Sequence, residues 1–419
     1  MSSAATVERT FTVANLTVNK LCSKHVITAV NGGLPGPTIS VKEGDTLVVH
    51  VFNKSPYNIT IHWHGIFQLQ TPWADGPEFV TQCPIRPGKS YIYRFTITGQ
   101  EGTLWWHAHV ALLRATVYGA LIIHRNAARL GEWWNASVVD LENEALALDM
   151  YKIEVEKNKT YLLRIINAAL NNQLFFKLAN HTFTVVAIDA AYTNPYVTDV
   201  VVTGPGQTVD VLVKTDQPVG SYYMAAHPYI SLPQFVTFSF DNTTTRAIFS
   251  YKGAYSSQTP VMPTLPDFYD TTTANNFYTN LTGLVGGPHW VPVPLNVDKH
   301  MFVTFGVNLE RCPENATCQG PLNERFSASM NNESFVFPQN ASMLEAFYYG
   351  NRTGVYTTDF PDNPPLTFDY TNMSFSVDAN FDLRAKIDKG EEAQVQCDGG
   401  DGMAEHAVLI SVKPSDSPS

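Results

Sequence analysis

"TISVKEGDTLVVHVFN", residues 38–53, decides the fold class. On either side of Glu43-Gly44-Asp45, β-branched residues alternate with polar ones, the pattern of two short strands broken by a tight turn. Further along, "SYIYRFTI" (90–97) places Tyr91, Tyr93 and Phe95 on one face of a strand. "HTFTVVAID" (181–189) is another strand, and "DVVVTGPGQTVDVLVKT" (199–215) reads as a hairpin around "GPGQ". Short strands punctuated by Gly and Pro turns point to an all-β chain of sandwiches or barrels. Helical periodicity is scarce, and "EWWNASVVDLENEALAL" (132–148) is the best helix candidate.

A chain of 419 residues is too long for one small core, so two or three domains are expected. Residues 1–125 form one β region and 126–252 a second. Residues 253–290 turn to Gly, Pro, Thr and Asn, which reads as an interdomain linker, and 291–419 hold a third region of weaker pattern. A formal charge of −11 leaves no basic surface for a phosphate backbone, which excludes nucleic acid as a partner. No apolar run reaches the roughly 20 residues that a spanning helix needs. No membrane association is therefore expected, and the chain is read as a monomer.

The start, "MSSAATVERTFTV", lacks the basic and apolar segments of a secretory signal peptide. Asn-x-Ser/Thr sequons are nevertheless dense. They begin at Asn15, Asn53, Asn58, Asn135, Asn158, Asn180, Asn242, Asn280, Asn315, Asn332, Asn340, Asn351 and Asn372. Composition alone predicts about five, so an extracellular glycoprotein is expected. Of five cysteines, Cys312 and Cys318 are close enough to clip a short loop, while the pairing of Cys22, Cys83 and Cys397 is left open.

The chemistry resides in "TIHWHGIF" (60–67) and "TLWWHAHV" (103–110). Residues i and i+2 of a strand share a face, so His62 projects with His64, and His107 with His109. If the two strands are neighbours, four imidazoles converge on one volume. Such a set suits copper, zinc, iron or nickel.

The sequence around these pairs narrows the choice. "IHWHGIFQLQTPWADGPEFVTQCPIRPGKSYIYRFTITGQEGTLWWHAHV" (61–110) closely resembles the first cupredoxin domain of plant laccases, which are multicopper oxidases. "TYLLRIINAALNNQLFFKLANHTFTVVAID" (160–189) resembles their second domain, and "CQGPLNERFSASMNNESFVFP" (318–338) the start of their third. The resemblance implies three consecutive cupredoxin-like Greek-key sandwiches, the second shortened and the third incomplete. It also implies copper, four ions in the family, and oxidation of phenolics such as monolignols and lignin-derived products in the apoplast, with O2 reduced to water. By position His62 resembles a type 2 copper ligand, and His64, His107 and His109 resemble type 3 ligands. Asp75 in "WADGP" matches an acidic residue thought to assist proton delivery; its alternative is a turn aspartate.

Two third-domain motifs of the family, His-Pro-x-His-Leu-His and His-Cys-His, do not occur in these 419 residues. By the family pattern the sequence carries half of each type 2 and type 3 ligand set and no type 1 ligand. The expectation is weak copper binding and little turnover by this chain alone. The alternative to a working laccase is therefore a catalytically inactive, secreted laccase-like glycoprotein with a half copper site. His25, His50, His124, His181, His227, His289, His300 and His406 are expected to be ordinary core or surface histidines.

Overall fold

The computed structural model describes residues 4–20, 23–124, 138–140, 152–231, 242–255, 257–297, 300–312, 324–331, 333, 338, 341–350, 360–364 and 408–409. The chain divides into two compact units, Met1–Trp290 and Val291–Ser419.

The first unit holds two β-sandwiches. In the first sandwich the strands are β1 (Thr6–Lys20), β2 (Ser23–Val30), β3 (Ile39–Lys42), β4 (Thr46–Asn53), β5 (Ile61–His64), β6 (Ser90–Thr96), β7 (Gly102–Ala108) and β8 (Tyr118–His124). One sheet has the order β2-β1-β4-β6 and the other β3-β8-β7-β5. The turn Glu43–Asp45 thus carries the chain from one sheet to the other, as the opposed apolar faces of "TISVK" and "TLVVHVFN" require.

Between these sheets lies a core that includes Phe11, Trp63, Tyr93, Phe95 and Trp106. Trp106 packs on Phe11 at 4.5 Å between ring centroids, and its indole N–H donates to the Pro37 carbonyl at 3.0 Å. Trp63 meets Phe95 at 5.1 Å and Tyr93 edge-on at 5.5 Å. Each indole removes roughly 150–250 Å² from water, an upper bound of about 4–6 kcal/mol. Both tryptophans alternate with histidines, so their burial orients the imidazoles.

The second sandwich contains β9 (Val138–Asp140), β10 (Lys152–Val155), β11 (Thr160–Ile166), β12 (Gln173–Leu178), β13 (Phe183–Ile188), β14 (Ala191–Thr198), β15 (Val201–Thr203), β16 (Thr208–Lys214), β17 (Ser221–Tyr229) and β18 (Thr245–Tyr251). Its sheets run β10-β18-β17-β12-β15 and β14-β13-β16-β11-β9.

Three expectations are corrected here. The turn at "GPGQ" makes no hairpin: β15 pairs with β12 and β16 with β11 and β13, in opposite sheets. Both strands are apolar enough to face the core from either side, and the turn crosses over it. Within the stretch expected to be helical, Val138–Asp140 is a strand paired in parallel with β11; the rest lies outside the described residues. Residues 253–290 are no free linker. Their helix α1 (Thr271–Asn280) buries Ala274 and Phe277 in the second core, and Val261 bridges to Tyr222.

In the second unit β19 (Phe302–Val303) pairs with β22 (Val408–Leu409), and β20 (Phe305–Arg311) with β21 (Glu324–Met330), both antiparallel. Helix α2 (Met343–Tyr348) is capped by Ser342, whose hydroxyl accepts from the Glu345 N–H. The described residues are mostly strand, in agreement with the all-β expectation.

Candidate metal centre

β5 and β7 are antiparallel neighbours, with Ile61 opposite Ala108, His62 opposite His107, Trp63 opposite Trp106 and His64 opposite Trp105. The His109 N–H donates to the Thr60 carbonyl at 3.1 Å, which continues the pairing by one residue. Period-two alternation then sorts the side chains. Ile61, Trp63, Leu104, Trp106 and Ala108 fill the core, so His62, His64, His107 and His109 share the opposite face. The four imidazoles expected to converge do so.

Nδ1 of His64 lies 3.2 Å from Nε2 of His107. One ligand atom each from His62, His64 and His107 falls within 4.8 Å of the others. His109 stands beside this trio, with ring centroids 5.4 Å from His62 and 6.0 Å from His107. Two imidazole nitrogens held about 2.0 Å from one ion at a tetrahedral angle are about 3.3 Å apart. The His64–His107 separation fits that spacing.

The proton positions also suit a metal. His62 Nδ1 lies 2.8 Å from the Asp75 carbonyl and His107 Nδ1 lies 2.8 Å from the Ala108 carbonyl. A carbonyl only accepts, so both Nδ1 atoms carry the proton, which puts the lone pair of each neutral imidazole on Nε2. Burial, followed by the neighbouring His62, holds the His107 pKa well below the usual histidine range, against the opposing bond to Ala108. His107 is thus neutral, as a metal ligand must be.

The loop after β5 supplies the carbonyl that orients His62. Gly76 (φ +101°) lies so close to β5 that a Cβ there would meet the Ile61 oxygen at 1.9 Å and His62 Cα at 3.0 Å. Only glycine permits this approach. It lays Asp75 across His62, with the carboxylate oxygen 3.4 Å from Nδ1 and the carbonyl nearer still. Asp75 therefore stands beside the imidazole face and orients His62 through its main chain.

Two further residues at this face have no signal in the histidine spacing. Buried Gln100 clamps the chain after His64, donating to the Gly65 carbonyl at 2.7 Å and accepting from the Phe67 N–H at 2.9 Å. Glu78 is half-buried near His109; burial raises its pKa and the His109 charge opposes the rise.

Other histidines are placed elsewhere. His181 is buried in the second sandwich, with Nδ1 2.7 Å from the Ala179 carbonyl and Nε2 2.8 Å from the Tyr251 hydroxyl. His227 is buried against Phe268 and Phe175. His406 lies outside the described residues.

Among the sequons, Asn15, Asn58, Asn158, Asn180, Asn242 and Asn280 are exposed. Asn53 corrects the expectation: it is buried, and its side-chain amide donates to the Tyr57 and Ile85 carbonyls, both at 2.7 Å. Asn135, Asn315, Asn332, Asn340, Asn351 and Asn372 lie outside the described residues. Cys312 is disulfide-bonded, and Cys318 lies outside the described residues.

Comparison with known proteins agrees with this geometry. Two multicopper oxidase family models match residues 12–128 and 136–254. Laccase-7 of Arabidopsis thaliana is 55% identical, covering 89% of this chain and 72% of that protein. Laccase-9 of Arabidopsis thaliana is 51% identical, over 89% and 69% respectively, and Laccase-24 of Oryza sativa subsp. japonica 50%, over 88% and 72%. In fold the chain is similar to Fet3p, a multicopper oxidase that functions in iron import, with a TM-score of 0.65 and 21% identity, covering 84% of this chain and 68% of that one. It is also similar to the laccase from Botrytis aclada, with a TM-score of 0.60 and 24% identity, covering 86% and 68%.

Sandwich fold and paired imidazoles together are those of a multicopper oxidase. Within that class, the chain belongs to the laccase family. Copper is the family's metal, and the donor set described above fits it.

Proposed function

We propose that this chain holds copper on the face shared by β5 and β7 and oxidises phenolic compounds with O2. In this reading His62 is the type 2 ligand, and His64, His107 and His109 are type 3 ligands. The observation that carries it is the pair of nitrogens 3.2 Å apart on His64 and His107. Bound copper supplies one-electron acceptance from a phenol and delivery of those electrons to O2. The chain's own residues do the positioning. Asp75 and Ala108 fix the tautomers of His62 and His107 through their carbonyls, and the Asp75 carboxylate stands at the centre's edge, 3.4 Å from His62 Nδ1.

Phenols of the monolignol and lignin-derived type are the substrate class. Six exposed sequons support a glycosylated extracellular protein, and no helix among the described residues is long and apolar enough to cross a membrane. We read the protein as a monomer, 291–419 as belonging to a third cupredoxin domain, and Cys312–Cys318 as a disulfide.

A second reading is a copper-holding glycoprotein without turnover. It is favoured by the placement of His181 and His227 in the second sandwich, away from the imidazole face. Oxygen uptake by the copper-loaded protein with a simple methoxyphenol decides between the two. Uptake abolished by replacing His107 and His109 with alanine supports the oxidase. A folded protein that binds copper with no uptake supports the second reading, and one that binds no copper overturns both.

A further inference from the structure

β7 carries more than histidines on its outer face. Thr103, Trp105 and His107 alternate along it, with His109 one residue beyond its end, and the second sandwich grips its first half. The Thr103 hydroxyl donates to the Asp210 carboxylate at 2.6 Å and accepts from Arg164 Nη1 at 2.7 Å. Arg164 also donates to the other Asp210 oxygen at 3.0 Å. The Thr208 hydroxyl donates to the Thr103 carbonyl at 2.6 Å. Arg164 and Asp210 face each other across β11 and β16, and both are nearly buried, with 12% and 8% of their side-chain surface exposed.

A desolvated ion pair contributes little net stability, yet its geometry is strict, because each unmet hydrogen bond in a low-dielectric site is costly. Here the hydroxyl of a strand in the other sandwich completes that pair. Trp105 continues the contact, its ring tilted against His107 at 4.3 Å and against His64 at 5.4 Å between centroids. Gly206, in the turn between β15 and β16, seats against the same two side chains. A Cβ there would lie 3.1 Å from Cε1 of His64 and 3.7 Å from Trp105. The second sandwich therefore touches the imidazole face at two levels, through polar bonds at Thr103 and through a bare backbone at Gly206.

We propose that Thr103 is a positioning residue: locked by Arg164 and Asp210, it sets the pose of β7 and through it the spacing of His64 and His107. The second sandwich thereby acts on a metal centre to which none of its described residues gives a ligand. The inference rests on the copper-centre reading given above.

The test uses the full chain and two variants. Thr103→Val keeps the shape and removes the hydroxyl; Thr103→Ser keeps the hydroxyl. Cupric ion is titrated against a competing chelator. In parallel, the histidine imidazole proton–nitrogen NMR spectrum of the metal-free, ¹⁵N-histidine protein is recorded. The expected result is a loss of about tenfold in copper affinity for Thr103→Val, the scale of an outer-shell change. Thr103→Ser should stay near the wild type. His64 and His107 resonances should move in Thr103→Val while His181 stays fixed.

Unchanged affinity together with unmoved His64 and His107 resonances overturns the proposal and leaves the copper-centre reading standing. Equal losses in both variants also overturn it, since the hydroxyl would then be irrelevant. Resonances that move in Thr103→Val, together with a wild-type chain that fails to bind copper, would uphold the positioning role and overturn the copper-centre reading instead.

Discussion

A β-carbon at Gly76 would lie 1.9 Å from the Ile61 carbonyl oxygen, a distance no relaxation of a flexible side chain can relieve, because the obstacle is main chain. Gly76→Ala should therefore destabilise the protein by about 3 kcal/mol or more, beyond an ordinary overpacking change. It should also weaken copper binding by displacing the Asp75 carbonyl from His62. Urea denaturation and a copper titration check the two effects. His181 supports a prediction of a different kind. Burial lowers its pKa against the opposing Ala179 bond and the nearby Asp216, whereas in the unfolded chain it titrates near 6.5. The unfolded state thus binds more protons below that value. The stability His181 contributes is complete above about pH 6.5 and is lost as pH falls through the folded-state value. Thermal melts from pH 7.5 to 5 should show this loss, with a flatter profile in His181→Gln. At this scale much of the site was legible, because alternation along a strand forces His62 with His64 and His107 with His109. Asp210, 107 residues from Thr103, was not, since nothing local marks a partner in another sandwich.

Strands were the legible elements, and their partners were not. "TISVK" and "TLVVHVFN" announce themselves by alternation, yet the same signal made "VVVTGPGQTVDVLV" look like a hairpin. Two β-branched runs around a tight turn can pair with each other or cross a core, and burial on both sheets decided for crossing. In 253–290 the Pro, Gly and Thr content masked a short helix whose Ala274 and Phe277, three apart, fall on one buried side. That helix begins at Asp270, whose carboxylate accepts from the Thr273 N–H at 2.9 Å and the Thr273 hydroxyl at 2.6 Å. Asp270→Ala should destabilise it by about 1 kcal/mol, seen as faster hydrogen exchange of the α1 amides and little change in β7.

For the whole molecule, metal and stability are linked. Copper that binds the folded chain and not the unfolded one stabilises by about 2.7 kcal/mol at a free concentration one hundred times Kd. A rise in Tm of roughly 3–5 °C should follow, reversed by a chelator. A Tm indifferent to copper would mean that the imidazole face holds no ion in the folded state. The net charge of −11 should favour solubility whether or not the metal is bound. Asn53 has a separate consequence for the life history of the chain. Its amide nitrogen is spent on Tyr57 and Ile85, and its carbonyl oxygen takes the Ser55 N–H and hydroxyl at 3.0 and 2.7 Å. A sugar transferred there during synthesis would arrive before the first sandwich closes and would bar it from closing. In a eukaryotic secretory host, glycopeptide mapping should find Asn53 bare in exported protein and decorated only in the retained, misfolded fraction, so that this buried asparagine keeps a record of the order in which folding and glycosylation took place.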